Sequence, residues 1–185
     1  MLSACAGVSL EGGADGRLTR AQQEFVVVSP VPGYQAWWLR TEFRPFGTEV
    51  RGIPVGQIRS TWCKATEFRR ELFPKELDAD LESYSFAVDG NFDHSGVAQS
   101  ALVGAYETCS GDRGLFVLVL AWPPNAVPVV RFVEAWLGER QFAVISRRRR
   151  DNAIVVAHCM SCDHFSILKW SRSQRRFTWL PAEDG

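Results

Sequence analysis

The sequence predicts a mainly β fold, in which antiparallel strands form a β-meander or a propeller-like array and one short helix packs on the sheet. Aromatic residues make up 12% of the chain, with 7 tryptophans and 12 phenylalanines, and residues of this kind favour strands. After residue 83, short apolar runs alternate with turn residues at intervals of roughly ten residues. A chain of 185 residues is expected to form one domain.

Residues 1–23 are predicted to be a flexible tether and residues 24–185 a single β-rich domain. The tether is expected because glycine recurs through the first segment of the chain and loosens it. Within the domain, Val26–Val28 is the first predicted strand. Residues 34–43 form the second predicted strand, because the run is rich in aromatic residues and a proline follows it.

One helix is predicted over residues 62–73. Ser60 or Thr61 can cap its start, and Pro74 ends it. The apolar residues that give it a helical spacing are Trp62, Ala65, Phe68 and Leu72.

The rest of the chain is predicted to be a β-meander of short strands, each bounded by turn residues. The predicted strands cover residues 84–90, 99–109, 115–122, 127–137, 140–148, 152–159, 165–171 and 176–182.

The stretch VDGNFDHSG joins the first two strands of this meander and carries oxygen-bearing side chains at alternate positions. Calcium is bound by several oxygen ligands from one short loop, so the stretch predicts a calcium site. The predicted ligands are Asp89, Asn91, Asp93 and Ser95. The alternative is an Asx turn, in which Asp89 and Asn91 accept hydrogen bonds from nearby backbone amides.

This loop resembles the calcium loop of FG-GAP repeats, which build integrin-type propellers. The resemblance implies an acidic calcium loop between two strands. Two features depart from the family pattern. His94 stands where such loops prefer glycine, and Val97, Gln99 and Ser100 stand where a late acidic ligand is expected. A calcium site without that carboxylate is expected to bind weakly.

The chain has 5 cysteines. Cys159 and Cys162 are close enough in sequence to pair across a tight turn. With Cys5 set aside, Cys63 and Cys109 are left for each other. Disulfides need an oxidising compartment, whereas in a cytosolic protein the same residues would be core thiols.

A cysteine–histidine cluster, AHCMSCDHF, surrounds Cys159 and Cys162. Zinc usually takes two separated ligand pairs, and a redox dithiol is expected before a helix rather than before the strand-like run FSILKW. We therefore favour a structural disulfide that staples a hairpin, with zinc and redox chemistry as the alternatives.

Cys5 is the cysteine left over from these two pairs. Leu2-Ser3-Ala4-Cys5 resembles a bacterial lipobox, the motif at which lipoproteins are acylated. The resemblance implies lipidation at Cys5, a membrane anchor and a periplasmic location in a Gram-negative bacterium. The charged and apolar parts of a signal peptide do not precede Cys5, so a start upstream of Met1 or a trimmed chain is expected. The alternative is an ordinary free cysteine.

Four consecutive arginines, Arg147, Arg148, Arg149 and Arg150, lie between two predicted strands and should project from a hairpin tip. They are either a solvated loop or a contact for an anionic partner, such as an acidic protein or a lipid surface. The formal net charge of the chain is +0, and nucleic acid is not an expected partner.

No motif for catalysis emerges: the sequence has no nucleophile elbow, no phosphate-binding glycine loop and no His-Glu-x-x-His. The prediction is a non-enzymatic periplasmic lipoprotein that binds a protein partner through His94 and its loop or through the arginine tip. A small exported β scaffold with an acidic loop is similar to immunity and inhibitor lipoproteins that act against secreted cell-wall hydrolases. The alternatives are a structural envelope lipoprotein and a hydrolase that uses distant carboxylates.

Overall fold

The structure is a computed structural model that describes residues 17–29, 36–138, 142–160 and 165–180. In the described part of the chain, antiparallel sheets dominate and the helices are short. The predicted mainly β fold is therefore confirmed. Among the described residues, no helix combines the length and the apolar character that are needed to cross a membrane.

Short elements precede the main sheets. Residues 20–23 of the predicted tether form a single helical turn. The elements are α1 (Arg20–Gln23), β1 (Val26–Val28), β2 (Thr41–Phe43), β3 (Glu49–Val50), β4 (Ile53–Pro54) and α2 (Val55–Ile58). Strand β1 pairs with β2, and β3 pairs with β4, each time antiparallel.

A five-stranded sheet forms the centre of the molecule. Its strands are β5 (Trp62–Glu67), β6 (Ala87–Gly90), β7 (Ala98–Thr108), β8 (Arg113–Trp122) and β9 (Val129–Leu137). Between β5 and β6 lie two 3-10 turns, Arg70–Leu72 and Lys75–Leu77, and the short helix α3 (Asp78–Leu81). One edge of β7 pairs with β8, and the other edge is shared by β6 and β5.

A four-stranded sheet follows in chain order. Its strands are β10 (Val144–Arg148), β11 (Ala153–Ala157), β12 (Phe165–Ser171) and β13 (Arg176–Leu180), each paired with the next. All the strands predicted after residue 83 are present as β6–β13, although residues 140, 141, 181 and 182 lie outside the described residues. The meander is confirmed as two successive meanders.

Two hydrophobic cores lie on opposite faces of the central sheet, because side chains alternate along β7 and β8. Val103 and Val117 face a core shared with the four-stranded sheet, which contributes Ile154. Leu102 and Leu118 face a second core, which is covered by residues 50–58. The two sheets therefore pack through the first core, to which β1 and β2 also contribute Val26 and Phe43. The opposite face is covered by β3, β4 and α2.

The predicted helix over residues 62–73 is wrong, because β5 occupies Trp62–Glu67. The register of β5 against β7 shifts between Trp62 and Lys64, where Cys63 is the extra residue of a bulge. In a regular strand, residues three positions apart lie on opposite faces, but the extra residue of a bulge brings them to the same face. Trp62 and Ala65 therefore both enter the second core. Three-residue spacing is also typical of one face of a helix, and for this reason the sequence predicted a helix here.

The predicted strand over residues 34–43 is correct only for Thr41–Phe43. Residues 34 and 35 lie outside the described residues, and Trp37–Arg40 forms a 3-10 turn. The Thr41 hydroxyl donates to the carbonyl of Trp37 at 2.8 Å, and this hydrogen bond stabilises the turn. The Trp37 ring packs edge-on against Phe142, with 5.1 Å between centroids, so core packing replaces strand pairing here.

The predicted disulfide between Cys63 and Cys109 is present, with 4.9 Å between the Cα atoms. It joins the bulge of β5 to the residue that follows β7. Cys159 is also disulfide-bonded, whereas its predicted partner Cys162 and the predicted lipidation site Cys5 lie outside the described residues.

Candidate binding cleft

The loop of residues 91–97, between β6 and β7, is closed by its own side chains. The Ser95 amide donates to Oδ1 of Asp93 at 2.9 Å, and the Gly96 amide donates to Oδ1 of Asn91 at 3.2 Å. Oε1 of the buried Gln99 accepts the amides of Phe92 and Asp93 at 2.7 and 3.2 Å. Gln99, one of the three residues found where a late acidic ligand was expected, therefore holds the loop's backbone.

His94 lies at the exposed tip of this loop. Its φ angle is 60°, and that of Gly96 is 82°. This is the left-handed region that glycine tolerates best, which explains why a glycine was expected at position 94.

Asp93 is turned inward and forms an ion pair with Arg131 of β9. The distance from Nη2 of Arg131 to Oδ2 of Asp93 is 3.0 Å, and the Asp93 side chain is only 2% exposed. Burial opposes ionisation, but the hydrogen bonds from Ser95 and the charge of Arg131 outweigh it, so the pKa of Asp93 is lowered. The same guanidinium lies 5.4 Å from the ring centroid of Trp170 on β12. Arg131 thus links the loop to the four-stranded sheet.

The arginine turn, residues 149–152, connects β10 to β11. The predicted hairpin tip is confirmed for Arg149 and Arg150, whereas Arg147 and Arg148 belong to strand β10. Arg148 donates from Nε and Nη2 to the two carboxylate oxygens of Asp151, at 2.9 and 2.7 Å. Lys169 of β12 adds a third contact to Asp151, at 3.0 Å. These hydrogen bonds, with that of Arg148 the strongest, hold the pKa of Asp151 far below its usual range.

The loop and the arginine turn are joined directly. Nδ2 of Asn152 donates to the backbone carbonyl of Asn91 at 2.6 Å. The strand that precedes the turn is fixed nearby, because the Ile145 amide donates to the carbonyl of Ser85 at 2.8 Å. Two segments 61 residues apart in sequence therefore form one surface.

Between them lies a cleft of about 590 Å³, which we call the basic cleft. Its lining residues are His94, Arg149, Arg150, Asp151, Asn152, Lys169, Trp170 and Arg172. A smaller set, Val88, Asp89, Arg147 and Arg149, lines a neighbouring depression. Of the predicted partner-binding residues, His94, Arg149 and Arg150 line the cleft together. Arg147 lines the neighbouring depression instead, and Arg148 is held by Asp151.

The predicted calcium ligands do not converge in this arrangement. Asp89 accepts a hydrogen bond at 2.6 Å from Ser100, which shares a face of β7 with Leu102 of the second core. Asp93 instead pairs with Arg131 on the side of the four-stranded sheet. Among the described residues there is no group of three or more histidine, cysteine or acidic side chains placed to hold one metal ion. The arrangement does not fit calcium while Arg131 holds Asp93, and calcium binding stays a prediction.

Sequence reasoning missed Arg131, Asn152, Lys169 and Trp170 as parts of the site. Lys169 and Trp170 lie inside a strand whose pattern indicated only sheet structure. A local signal existed for Asn152, since an Asp-Asn pair is typical of a turn, but its partner lies on another element. Comparisons of the chain with protein-family models, curated proteins and solved structures gave no match.

Proposed function

We propose that this protein is a non-enzymatic binding protein whose protein partner docks over the basic cleft. The observation that carries the proposal is that His94 and the arginine turn lie side by side in one cleft. Two segments that sequence analysis singled out separately line the same cleft. Hydrogen bonds hold the backbone of both segments in place before a partner arrives, so little backbone entropy remains to be lost on binding.

Ion pairs hold the carboxyl groups whose pKa values are clearly shifted in the described part of the chain. Two of these ion pairs hold the loop and the arginine turn in place for a partner. The described carboxyl groups whose pKa clearly departs from the ordinary value are all shifted downward. They are Glu24, Glu42, Asp93, Glu107 and Asp151.

The proposed location is the periplasm, with a lipid anchor at Cys5. The disulfide between Cys63 and Cys109 supports an oxidising compartment. Within that compartment we assign the protein to the class of immunity or inhibitor lipoproteins that bind secreted cell-wall hydrolases. Mass spectrometry of the chain produced with its upstream codons tests the anchor: an acylated Cys5 is expected, and an unmodified thiol would contradict it.

Site-specific photo-cross-linking in the producing cells tests the docking surface. A photoreactive residue replaces Arg149 in the cleft or Gln57, which is exposed on α2 at the opposite face of the central sheet. One discrete protein adduct is expected from position 149 and none from position 57. No adduct from position 149, or the same adduct from both positions, would refute the proposal.

The assignment to the inhibitor class has its own test. The cross-linked partner is expected to be a cell-wall hydrolase whose lysis of peptidoglycan stops when an equimolar amount of this protein is added. If the partner is a structural envelope protein, the inhibitor assignment is wrong and the alternative, a structural envelope lipoprotein, is supported.

A further inference from the structure

We propose that the basic cleft receives an acidic segment of the partner, an extended stretch with several spaced Asp or Glu side chains. This inference rests on the proposed function and names the chemistry of what docks there. Three features support it: two exposed arginines line the cleft, they belong to different hairpins, and the ring of Trp170 lies beside them.

Arg149 and Arg172 supply the available positive charge. Both are exposed and both line the cleft. Among the described residues, no carboxylate pairs with either of them. Asp151 does not cancel this charge, because Arg148 and Lys169 already neutralise it. Guanidinium groups bind carboxylates in a bidentate manner, so each arginine can take one acidic side chain.

The spacing of the cations favours an extended acidic segment over a single phosphate. Arg149 belongs to the turn between β10 and β11, and Arg172 to the turn between β12 and β13. These two turns lie at the same end of an antiparallel meander but on different hairpins. The two arginines therefore start from different hairpins, and each can hold a separate carboxylate of one extended segment.

The backbone of the loop does not supply a phosphate-binding nest. Such a nest needs successive free N–H groups. In this loop the amide of Ser95 donates to Asp93, and the amide of Gly96 donates to Asn91. The amide of Val97 donates to the Ser95 hydroxyl at 3.3 Å. These three amides of the loop are therefore already used, and the loop contributes no backbone nest to the cleft.

Trp170 adds an apolar surface beside these charges. Its ring is partly exposed and packs against Phe177, with 5.1 Å between centroids. Arg131 covers part of the ring, and the methylene groups of a glutamate side chain can pack on the exposed part while its carboxylate reaches an arginine. The cleft thus suits acidic side chains with an aliphatic stem, and glutamate more than aspartate.

Titration with synthetic peptides tests the inference. The probe is a soluble peptide of alternating Glu and Gly, and the matched peptide carries Gln in place of Glu. The Glu peptide is expected to bind at low salt and to weaken as salt rises, whereas the Gln peptide does not bind. Arg149→Glu and Arg172→Glu are each expected to weaken binding by about fivefold or more, since each loses one ion pair and gains one repulsion. Arg59→Glu, an exposed change at the end of α2, serves as the charge-matched control and leaves the affinity within about twofold.

Equal binding of the Glu and Gln peptides would overturn the inference, and so would equal loss in all three variants. Two further measurements distinguish an acidic peptide from other anionic ligands. Displacement of the Glu peptide by an equal concentration of inorganic phosphate would overturn it in favour of a phosphate site. Binding to phosphatidylglycerol vesicles without binding to the peptide would overturn it in favour of a membrane surface. A cross-link from position 149 together with failed peptide binding would leave the proposed function standing and remove only this inference.

Discussion

The side-chain amide of Asn152 donates a hydrogen bond to the backbone carbonyl of Asn91, with 2.6 Å between Nδ2 and the oxygen. This contact fixes the arginine turn against the loop that carries His94. Asn152 itself has a φ angle of 59°, a conformation that glycine and asparagine accept more readily than other residues.

Substitutions at Asn152 separate the hydrogen bond from the backbone conformation. Asn152→Gly keeps the left-handed backbone and loses the bond, so we expect the free energy of unfolding to fall by about 1 kcal/mol. Asn152→Ala loses the hydrogen bond and also disfavours the left-handed backbone. Its free energy of unfolding should therefore fall by about 1 kcal/mol more. Urea denaturation measures both values, and hydrogen exchange of the Ser95 and Gly96 amides should accelerate in each variant. Unchanged exchange in Asn152→Gly would contradict the role of this contact in holding the loop.

The pair of Arg131 and Asp93 bears on both stability and calcium. Arg131→Gln leaves a carboxylate that is 2% exposed without its cation, and the free energy of unfolding should fall by about 2 kcal/mol. Because Arg131 holds Asp93 and Asp89 bonds to Ser100 on the other face of the sheet, millimolar calcium should leave the wild-type melting temperature unchanged.

The double variant Asp93→Asn with Arg131→Gln is the control for this pair. Neither charge remains in it, so calcium should have no effect on its melting temperature. Stabilisation of the wild type by calcium would contradict the view that Arg131 excludes the ion. It would support the predicted site of Asp89, Asn91, Asp93 and Ser95.

Acid should weaken the fold through Asp151. Its pKa is far below the ordinary aspartate value because Arg148 and Lys169 bind the ionised form. A carboxyl group with a lowered pKa contributes stability above its unfolded pKa of about 3.9, and this contribution is lost as the pH falls toward the folded pKa. The free energy of unfolding should therefore decrease between about pH 5 and pH 2, and Asp151→Asn should flatten this dependence. Asp93 is shifted in the same direction, so part of the slope should remain.

Urea denaturation over this pH range provides the measurement. Asp78→Asn is the matched control, because Asp78 is exposed and its carboxylate forms no ion pair among the described residues. The control should keep the wild-type slope. An identical slope in Asp151→Asn would contradict the account of this ion-pair cluster.

The Cys63–Cys109 disulfide should contribute strongly to stability, because its residues are 46 positions apart. A bridge over a loop of that length stabilises a fold by about 4 kcal/mol in the chain-entropy model. The double variant Cys63→Ser with Cys109→Ser should lose most of this free energy in urea denaturation while keeping the β-sheet circular dichroism spectrum. Alkylation of both residues in the unreduced wild-type protein would contradict the bridge.

The local sequence pattern was sufficient to predict most of the strands. The strands from β6 to β13 follow from short apolar runs bounded by turn residues. Within β6–β9 and within β10–β13, neighbouring strands pair in chain order. It failed at β5, where the bulge at Cys63 gave Trp62 and Ala65 a helix-like spacing. It also failed at Trp37, whose conformation is set by contacts with the distant Phe142.

The site was predictable only in parts. His94 and the arginine run stood out through residue type, yet nothing local indicated that they would meet. Their meeting depends on β10 lying beside the segment before β6, through the bond from Ile145 to Ser85. The partners of Asp93 and Asp151, Arg131 and Lys169, likewise come from strands that are remote in sequence.

The central claim is that the basic cleft binds acidic segments, and amide chemical-shift mapping during titration with the Glu and Gly peptide tests it most directly. We predict saturable shifts confined to His94, Arg149, Asn152, Arg172 and the indole of Trp170, with none in residues 53–58 on the opposite face. Shifts spread evenly over both faces, or centred on residues 53–58, would contradict the claim.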